Sequence, residues 1–263
     1  MAPKTRRYDT ARTKAAVLAQ YGHVADAVRG LTGEQIAAAS GVGEWTVGDL
    51  AGHIAWAVGS LAEAAALPPA EKAEVSVRTW PFATGPLADW TVDVQPGEGR
   101  PEAPEDLDAL YARTGERFTE LLGVLPGDRL LALWIGGMTV ADFVVTRAVE
   151  LVVHTDDLNR ALGLEIPLDR QALAACVRVL ADALAEKAPG GAVEVRIPPF
   201  AVVQCVEGPR HTRGTPPNVV ETDPLTWIRL ATGRAGWAAE LAGARVSASG
   251  DRADLSGLLP VMS

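Results

Sequence analysis

Two histidines and one glutamate are the residues whose types and spacing point most directly to chemistry. Glu150 and His154 are four positions apart, so a helix places them on one face, one turn apart. His53 follows Leu50 by three positions and precedes Ala57 by four, which is the spacing of the apolar face of a helix. Inward imidazole and carboxylate groups are ligands for a transition metal such as Zn²⁺, and three of them leave one coordination position open.

The spacing alone leaves simpler interpretations open. A glutamate and a histidine four positions apart often form an ion pair on a helix, and a single inward histidine is often a satisfied core residue. A buried glutamate is costly unless it is paired or bound to a cation. Asp157, three residues after His154, is placed to orient that imidazole as an outer carboxylate. Arg147, on the same stripe, either holds a substrate carboxylate or is solvated or ion-paired.

Long helices must position these side chains. We predict helices over residues 8–30, 32–39, 46–66, 105–122 and 139–162. Thr46 and Thr139 each stand three residues before an aspartate, a pattern that caps the start of a helix. Gly163 follows the last of these helices as a C-terminal cap. The four long helices indicate an antiparallel bundle, in which metal sites form between facing helices.

The segment from residue 67 to residue 103 lacks the helical pattern. It is rich in proline and contains Trp80 and Trp90. A loop of this length inside a compact domain is usually functional or disordered. The tryptophans favour an ordered loop that packs back on the body of the protein.

The pattern changes after about residue 165. A helix at 168–187 is followed by strand-like runs and short helices; the strands are expected at 192–197, 200–206, 219–222 and 244–248, and the helices at 224–232 and 254–259. We therefore predict an α+β protein with two domains, an all-α bundle over 1–165 and a smaller α+β domain over 166–263.

Composition excludes several functional classes. The net charge of −9 supplies no basic patch for nucleic acid, and no apolar stretch is long enough to span a membrane. The N-terminus lacks the apolar region of a secretory signal. Cys176 and Cys205 lie in apolar runs, as is typical of buried, reduced thiols. We expect a cytoplasmic protein.

The sequence resembles the mycothiol-dependent maleylpyruvate isomerase family, within the DinB-like metal-binding four-helix bundles. The matching segments are Trp45–His53, Thr139–Asp142 and Glu150–Leu158. The segments Thr222–Arg234 and Ala244–Asp251 resemble the sterol-carrier-like α+β domain that follows the bundle in this family. The resemblance covers nearly the whole chain.

The resemblance implies a thiol enzyme. It implies that His53, Glu150 and His154 bind Zn²⁺ and that the metal binds the sulfur of mycothiol, which coordination deprotonates. The thiolate would isomerise a maleylpyruvate-like substrate or be transferred to an electrophile. The family also carries an arginine in its C-terminal domain that is thought to be essential. Arg229 and Arg234 are both available, and Arg234 is preferred because it closes a helix.

The expected partners are a small thiol and a small electrophilic substrate, with neither nucleic acid nor a membrane, in a monomer or a homodimer. The alternative is a non-catalytic protein that binds a small molecule or a lipid and keeps a vestigial or structural metal site. Structural zinc sites usually have four protein ligands, often cysteines. Only three ligands are evident here, which favours the enzyme.

Overall fold

The computed structural model describes residues 6–84, 104–209 and 216–262. In chain order the helices are α1 (Thr10–Arg29), α2 (Gly33–Ala37), α3 (Val47–Ala66), α4 (Trp80–Thr84), α5 (Pro104–Val124), α6 (Val140–Leu162), α7 (Arg170–Lys187), α8 (Pro224–Ala231) and α9 (Trp237–Ala242). The strands are β1 (Leu130–Leu133), β2 (Gly136–Thr139), β3 (Val193–Ile197), β4 (Ala201–Cys205), β5 (Val219–Thr222) and β6 (Val246–Ser249). The predicted α+β class is confirmed.

The described residues form two compact units. The helical unit comprises residues 8–76 and 104–173, and the second unit comprises residues 6–7, 77–84, 174–209 and 216–262. Helix α7 begins in the helical unit and continues into the second. The domain boundary expected between residues 165 and 166 stays a prediction.

Helices α1, α3, α5 and α6 form a four-helix bundle. Both α1 and α3 pack against α5 and against α6, so each helix has two neighbours. Buried side chains recur along these helices every three or four residues, because an α-helix has 3.6 residues per turn. The largest fully buried side chains of the bundle are Leu50, Ile54, Leu61, Leu107, Phe118, Phe143, Leu151 and Leu158.

Side-chain caps determine where α3 and α6 begin. The Thr46 hydroxyl accepts a hydrogen bond from the Asp49 backbone N–H (3.1 Å), and the Asp49 carboxylate accepts one from the Thr46 backbone N–H (2.9 Å). The Thr139 hydroxyl likewise accepts one from the backbone N–H of Asp142 (3.1 Å). These bonds satisfy N–H groups that have no partner within the helix. Both starts agree with the sequence-based prediction, so the faces of α3 and α6 are set by local chemistry.

A short hairpin, β1–β2, precedes α6 and had not been predicted as strands. Part of the segment 67–103 packs on it, because the backbone N–H groups of Glu74 and Val75 donate to the Gly137 carbonyl (2.8 and 3.0 Å). A Cβ at Gly137 would stand 2.0 Å from the Lys72 carbonyl oxygen, so only glycine permits this approach.

The second unit contains a four-stranded sheet in the order β4-β3-β5-β6. The β3–β4 and β5–β6 pairs are antiparallel, and β3–β5 is parallel. Trp80 is buried in α4 of this unit, whereas Trp90 lies outside the described residues. The helix expected at 254–259 is wrong: the segment is not helical, and a turn occupies residues 256–258. Pro260 disfavours the helical conformation at Leu259, the residue before it.

Among the described residues, no helix combines the length and the apolar character needed to cross a membrane.

Candidate metal centre

The three candidate ligands come from two helices that pack against each other, α3 and α6. His53 lies in the second turn of α3, and Glu150 and His154 lie on consecutive turns in the middle of α6. Because the caps fix where each helix begins, the 3.6-residue period turns these side chains towards the opposite helix.

The side chains converge. Glu150 Oε2 is 3.7 Å from His53 Nε2 and 3.3 Å from His154 Nε2. One ligand atom from each of the three residues can be chosen so that all lie within 4.8 Å of one another. Bonds of about 2.0 Å to a tetrahedral ion place the ligand atoms about 3.3 Å apart. The donor types and their spacing therefore fit one divalent ion of the zinc type.

The cluster is largely removed from solvent. The side chains of His53, Glu150 and His154 are only 13%, 16% and 10% exposed to solvent. Asp157 lies deeper, with a 3% exposed side chain whose Oδ2 is 3.0 Å from His154 Nδ1. This contact occupies Nδ1 and leaves Nε2 directed at Glu150. The structure thus places Asp157 where the sequence had put an outer carboxylate, the usual arrangement behind a ligand imidazole.

Two tryptophans flank the His53 imidazole. Its ring centroid is 4.9 Å from that of Trp45 and 5.8 Å from that of Trp56, and the His154 ring meets it edge-on at 5.0 Å. These aromatic contacts restrict the orientations of the imidazole. Neither tryptophan was predicted as a site residue, although Trp56 is three positions after His53, and so on the same helix face.

Arg147 lies beside Glu150 and is buried, with 7% of its surface exposed. Its guanidinium donates to the Ala57 carbonyl (2.7 Å) and to the Thr146 hydroxyl (3.1 and 3.3 Å). It also stands 4.6 Å from the centroid of the Phe143 ring. The contacts found are with protein groups, and binding of a substrate carboxylate by Arg147 stays a prediction.

The electrostatics of the metal-free cluster keep Glu150 ionised. Burial alone raises its pKa, but the hydrogen bonds from His154 and His53 and the charge of Arg147 outweigh burial and hold the pKa well below its usual value. Burial likewise lowers the pKa of His154, but the hydrogen bonds to Asp157 and Glu150 outweigh it and raise that pKa. At pH values below the raised pKa of His154, the site without metal holds a proton that a metal ion must displace.

We expect the metal-free protein to lose stability as the pH rises above 6.5, the ordinary pKa of histidine, through the raised pKa of His154. At pH values below the pKa of His154 in the unfolded state, the protonated imidazole contributes fully to the free energy of unfolding. This contribution is lost as the pH rises through the pKa of His154 in the folded state. Urea unfolding of chelator-treated protein over about pH 6–10 measures the loss, with His154→Gln as the reference. The same pH dependence in both proteins would contradict it.

The structure does not test the role of Arg234. It follows α8 in the second unit, where its backbone N–H donates to the Arg229 carbonyl (2.7 Å) and its guanidinium to the Thr232 carbonyl (3.2 Å). Its action on a substrate stays a prediction.

Two protein-family models match this chain. A family model described as the mycothiol maleylpyruvate isomerase N-terminal domain matches residues 17–159, and one described as a bacterial SCP ortholog matches residues 169–261. No curated protein matches the chain.

Two crystal structures are similar over 92% of this chain and 93% of their own. One is of the mycothiol-dependent maleylpyruvate isomerase (15% identical, TM-score 0.59). The other is of a histidine-to-alanine mutant of that enzyme (14% identical, TM-score 0.58). At these identities the likeness establishes the fold. The match of the first family model over more than half of the chain establishes the family: this chain belongs to the mycothiol maleylpyruvate isomerase family, with a C-terminal domain of the bacterial SCP type.

Proposed function

We propose that this chain is a zinc-dependent enzyme that activates a low-molecular-weight thiol, mycothiol, for reaction with a small electrophilic substrate. The observation that carries the proposal is the convergence within 4.8 Å of His53, Glu150 and His154, the three residues that the resemblance to the family implies as zinc ligands. Within the described residues this is the only group of three or more His, Cys, Asp or Glu side chains close enough to share one ion.

The donor set favours a catalytic over a structural metal. Structural zinc is usually held by four protein ligands, whereas catalytic zinc has three and an open position. Cys176 and Cys205 are buried and are not part of the cluster. Burial raises the pKa of the Cys205 thiol to about 11, so that thiol is poorly suited to act as the nucleophile itself.

When bound, zinc supplies a Lewis acid whose coordination converts a thiol to a thiolate at neutral pH. The residues of the chain prepare the site for it. Asp157 holds His154 through Nδ1, which directs Nε2 into the cluster. Glu150 contributes a carboxylate oxygen that faces both imidazoles. Arg234 is the residue that we propose binds a carboxylate of the substrate.

Two reactions are compatible with an activated thiol. In the first, the thiol adds to the cis double bond of a maleylpyruvate-like substrate, the resulting single bond rotates, and elimination of the thiol gives the trans isomer. In the second, the sulfur attacks a carbon of an electrophile such as an alkyl bromide: a carbon–sulfur bond forms, the carbon–bromine bond breaks, bromide and the thiol proton are released, and the thiol is consumed. We propose the isomerisation as the leading candidate because both crystal structures above are of an isomerase.

The test is to incubate chelator-treated and zinc-reloaded protein with mycothiol and maleylpyruvate, and separately with mycothiol and monobromobimane. We expect zinc-dependent formation of the trans isomer without net consumption of thiol. Formation of the bimane conjugate alone would assign the protein to S-transfer instead. Absence of both products, with apolar ligand bound whether or not zinc is present, would replace the proposal with a non-catalytic carrier.

A further inference from the structure

The two oxygens of the Glu150 carboxylate face different partners. Oε2 lies 3.7 and 3.3 Å from the Nε2 atoms of His53 and His154, whereas Oε1 lies 3.9 Å from a guanidinium nitrogen of Arg147. A carboxylate can bind a metal through one oxygen or through both, and a cation beside one oxygen favours binding through the other. The position of Arg147 beside Oε1 therefore favours binding of an ion through Oε2 of Glu150.

The guanidinium is itself held from several sides. Thr146 accepts hydrogen bonds from Nε and from the same terminal nitrogen that faces Glu150, and the Phe143 ring lies at 4.6 Å from the guanidinium carbon. Thr146 in turn donates to the Phe143 carbonyl (2.7 Å). A planar fork whose donors are spread over three nitrogens suits these separated partners, whereas the donors of a lysine ammonium all lie on a single nitrogen.

The remaining terminal nitrogen of Arg147 links the two ligand-bearing helices. It donates to the Ala57 carbonyl of α3 at 2.7 Å, and Ala57 is one turn beyond His53 on that helix. One side chain on α6 thus contacts both the carboxylate of Glu150 and the backbone of α3 next to His53. This hydrogen bond joins the helix that carries Glu150 and His154 to the helix that carries His53.

We propose that Arg147 is a positioning residue of the metal centre. It holds Glu150 as a ligand through Oε2 alone and fixes α3 against α6, so that three protein donors and one open position are presented to the ion. This inference rests on the proposed function, and it gives Arg147 a role towards Glu150 in place of the role towards a substrate that the sequence suggested.

The test compares metal binding by Arg147→Met, Arg147→Lys and wild-type protein. Zinc affinity is measured by competition with a chromophoric chelator, and coordination geometry by the visible spectrum of the Co²⁺-loaded protein. Loss of an outer partner of a ligand typically weakens metal binding about 10–100-fold. We expect that loss in both variants, with an altered Co²⁺ spectrum, because lysine restores the charge but not the fork.

Arg129→Met is the matched control. Arg129 also donates from its guanidinium to backbone carbonyls of α3 and the residue after it, those of Ala65 (3.1 Å) and Leu67 (3.4 Å), but it takes no part in the metal cluster. We expect it to leave zinc affinity and the Co²⁺ spectrum unchanged. Circular dichroism of the metal-free variants establishes that each is folded, and if Arg147→Met is not, Arg147→Lys decides.

Wild-type metal binding by both Arg147 variants would overturn the inference while leaving the proposed function standing. Full recovery by Arg147→Lys would reduce the role of Arg147 to its charge and overturn the positioning role. An equal loss in Arg129→Met would attribute the effect to general loosening of α3 and would also overturn it. If the wild-type protein itself binds neither zinc nor Co²⁺, the proposed function fails together with the inference.

Discussion

Glu150→Gln is expected to weaken zinc binding about 100- to 1000-fold and to destabilise the metal-free protein. Structural zinc sites contribute about 10–16 kcal/mol in total, or about 2.5–4 kcal/mol per ligand for four ligands, and 1.4 kcal/mol is a factor of ten. Glutamine keeps the size of the side chain but removes the charge that His53, His154 and Arg147 all face. The same substitution therefore removes a ligand and leaves a buried cation without its anion.

The second part of this effect appears without metal. Breaking a buried ion pair by neutralising one partner costs about 3–5 kcal/mol, since the burial of Arg147 (7% exposed) limits its access to water. Urea unfolding of the chelator-treated protein measures this loss as a lower transition midpoint. Equilibrium dialysis against zinc measures the loss of affinity.

Glu120→Gln is the matched control for Glu150→Gln. Each glutamate follows an arginine by three residues on a helix of the bundle, and Glu120 pairs with Arg117 at 2.6 Å as Glu150 faces Arg147 at 3.9 Å. The pair at 120 is exposed, with side chains 53% and 63% accessible, and an exposed pair is worth about 0–1 kcal/mol. A destabilisation as small as that of the control, with zinc affinity unchanged, would contradict the electrostatic account of the centre.

The cluster of His53, Glu150 and His154 was largely predictable from sequence, because local rules determine most of it. Thr46 and Thr139 mark where two helices begin, and helical periodicity then assigns His53, Glu150 and His154 to inward faces. The relation between His154 and Asp157 is also local, since residues three apart on a helix are neighbours. Only the convergence of the two helices required tertiary information, and the family resemblance supplied it in advance.

The surroundings of Arg147 were not predictable in this way. Its position on the α6 stripe was correct, but its partner on α3 is a backbone carbonyl, that of Ala57. Every residue of a helix carries such a carbonyl, and no sequence pattern marks the one that accepts a bond from another helix. The sequence therefore suggested a substrate-binding role or a solvated or ion-paired arginine, but not the hydrogen bond to a backbone carbonyl of α3.

The hairpin before α6 was missed for a related reason. Residues 130–135 are six apolar residues in a row. The periodicity of such a short run does not distinguish a strand from a buried helix. The contact of the segment after α3 with this hairpin depends on Gly137, where the Lys72 carbonyl leaves no room for a Cβ. Glycine is common in turns, so its sequence position alone did not indicate a close approach of two backbones.

His53→Ala is expected to abolish zinc binding at concentrations that saturate the wild-type protein, and to abolish mycothiol binding with it. His53 is the only ligand of the cluster on α3, so its loss leaves two donors on a single helix, which bind an ion far more weakly than three donors from two helices. Zinc content by mass spectrometry should fall from about one ion per chain to below about a tenth. Mycothiol binding is measured by calorimetry on the zinc-loaded proteins.

His23→Ala controls for the loss of an imidazole. His23 lies on α1 of the same helical unit, with Nδ1 3.1 Å from the Pro167 carbonyl oxygen, and it does not belong to the cluster. Zinc and thiol binding should be unchanged in this variant. Because Trp45 and Trp56 lie against the ring of His53, zinc should also change the tryptophan fluorescence of wild-type and His23→Ala protein but not that of His53→Ala.

Thiol binding is the outcome that separates the two classes of function. If the sulfur is held by a metal bound to His53, Glu150 and His154, zinc and thiol affinity must be lost together in His53→Ala, whereas a carrier binds its ligand through apolar contacts that this substitution leaves intact. Mycothiol binding that survives the loss of zinc would mean that the thiol is recognised elsewhere on the chain. The cluster would then have no part in activating it, and the enzymatic proposal would fail.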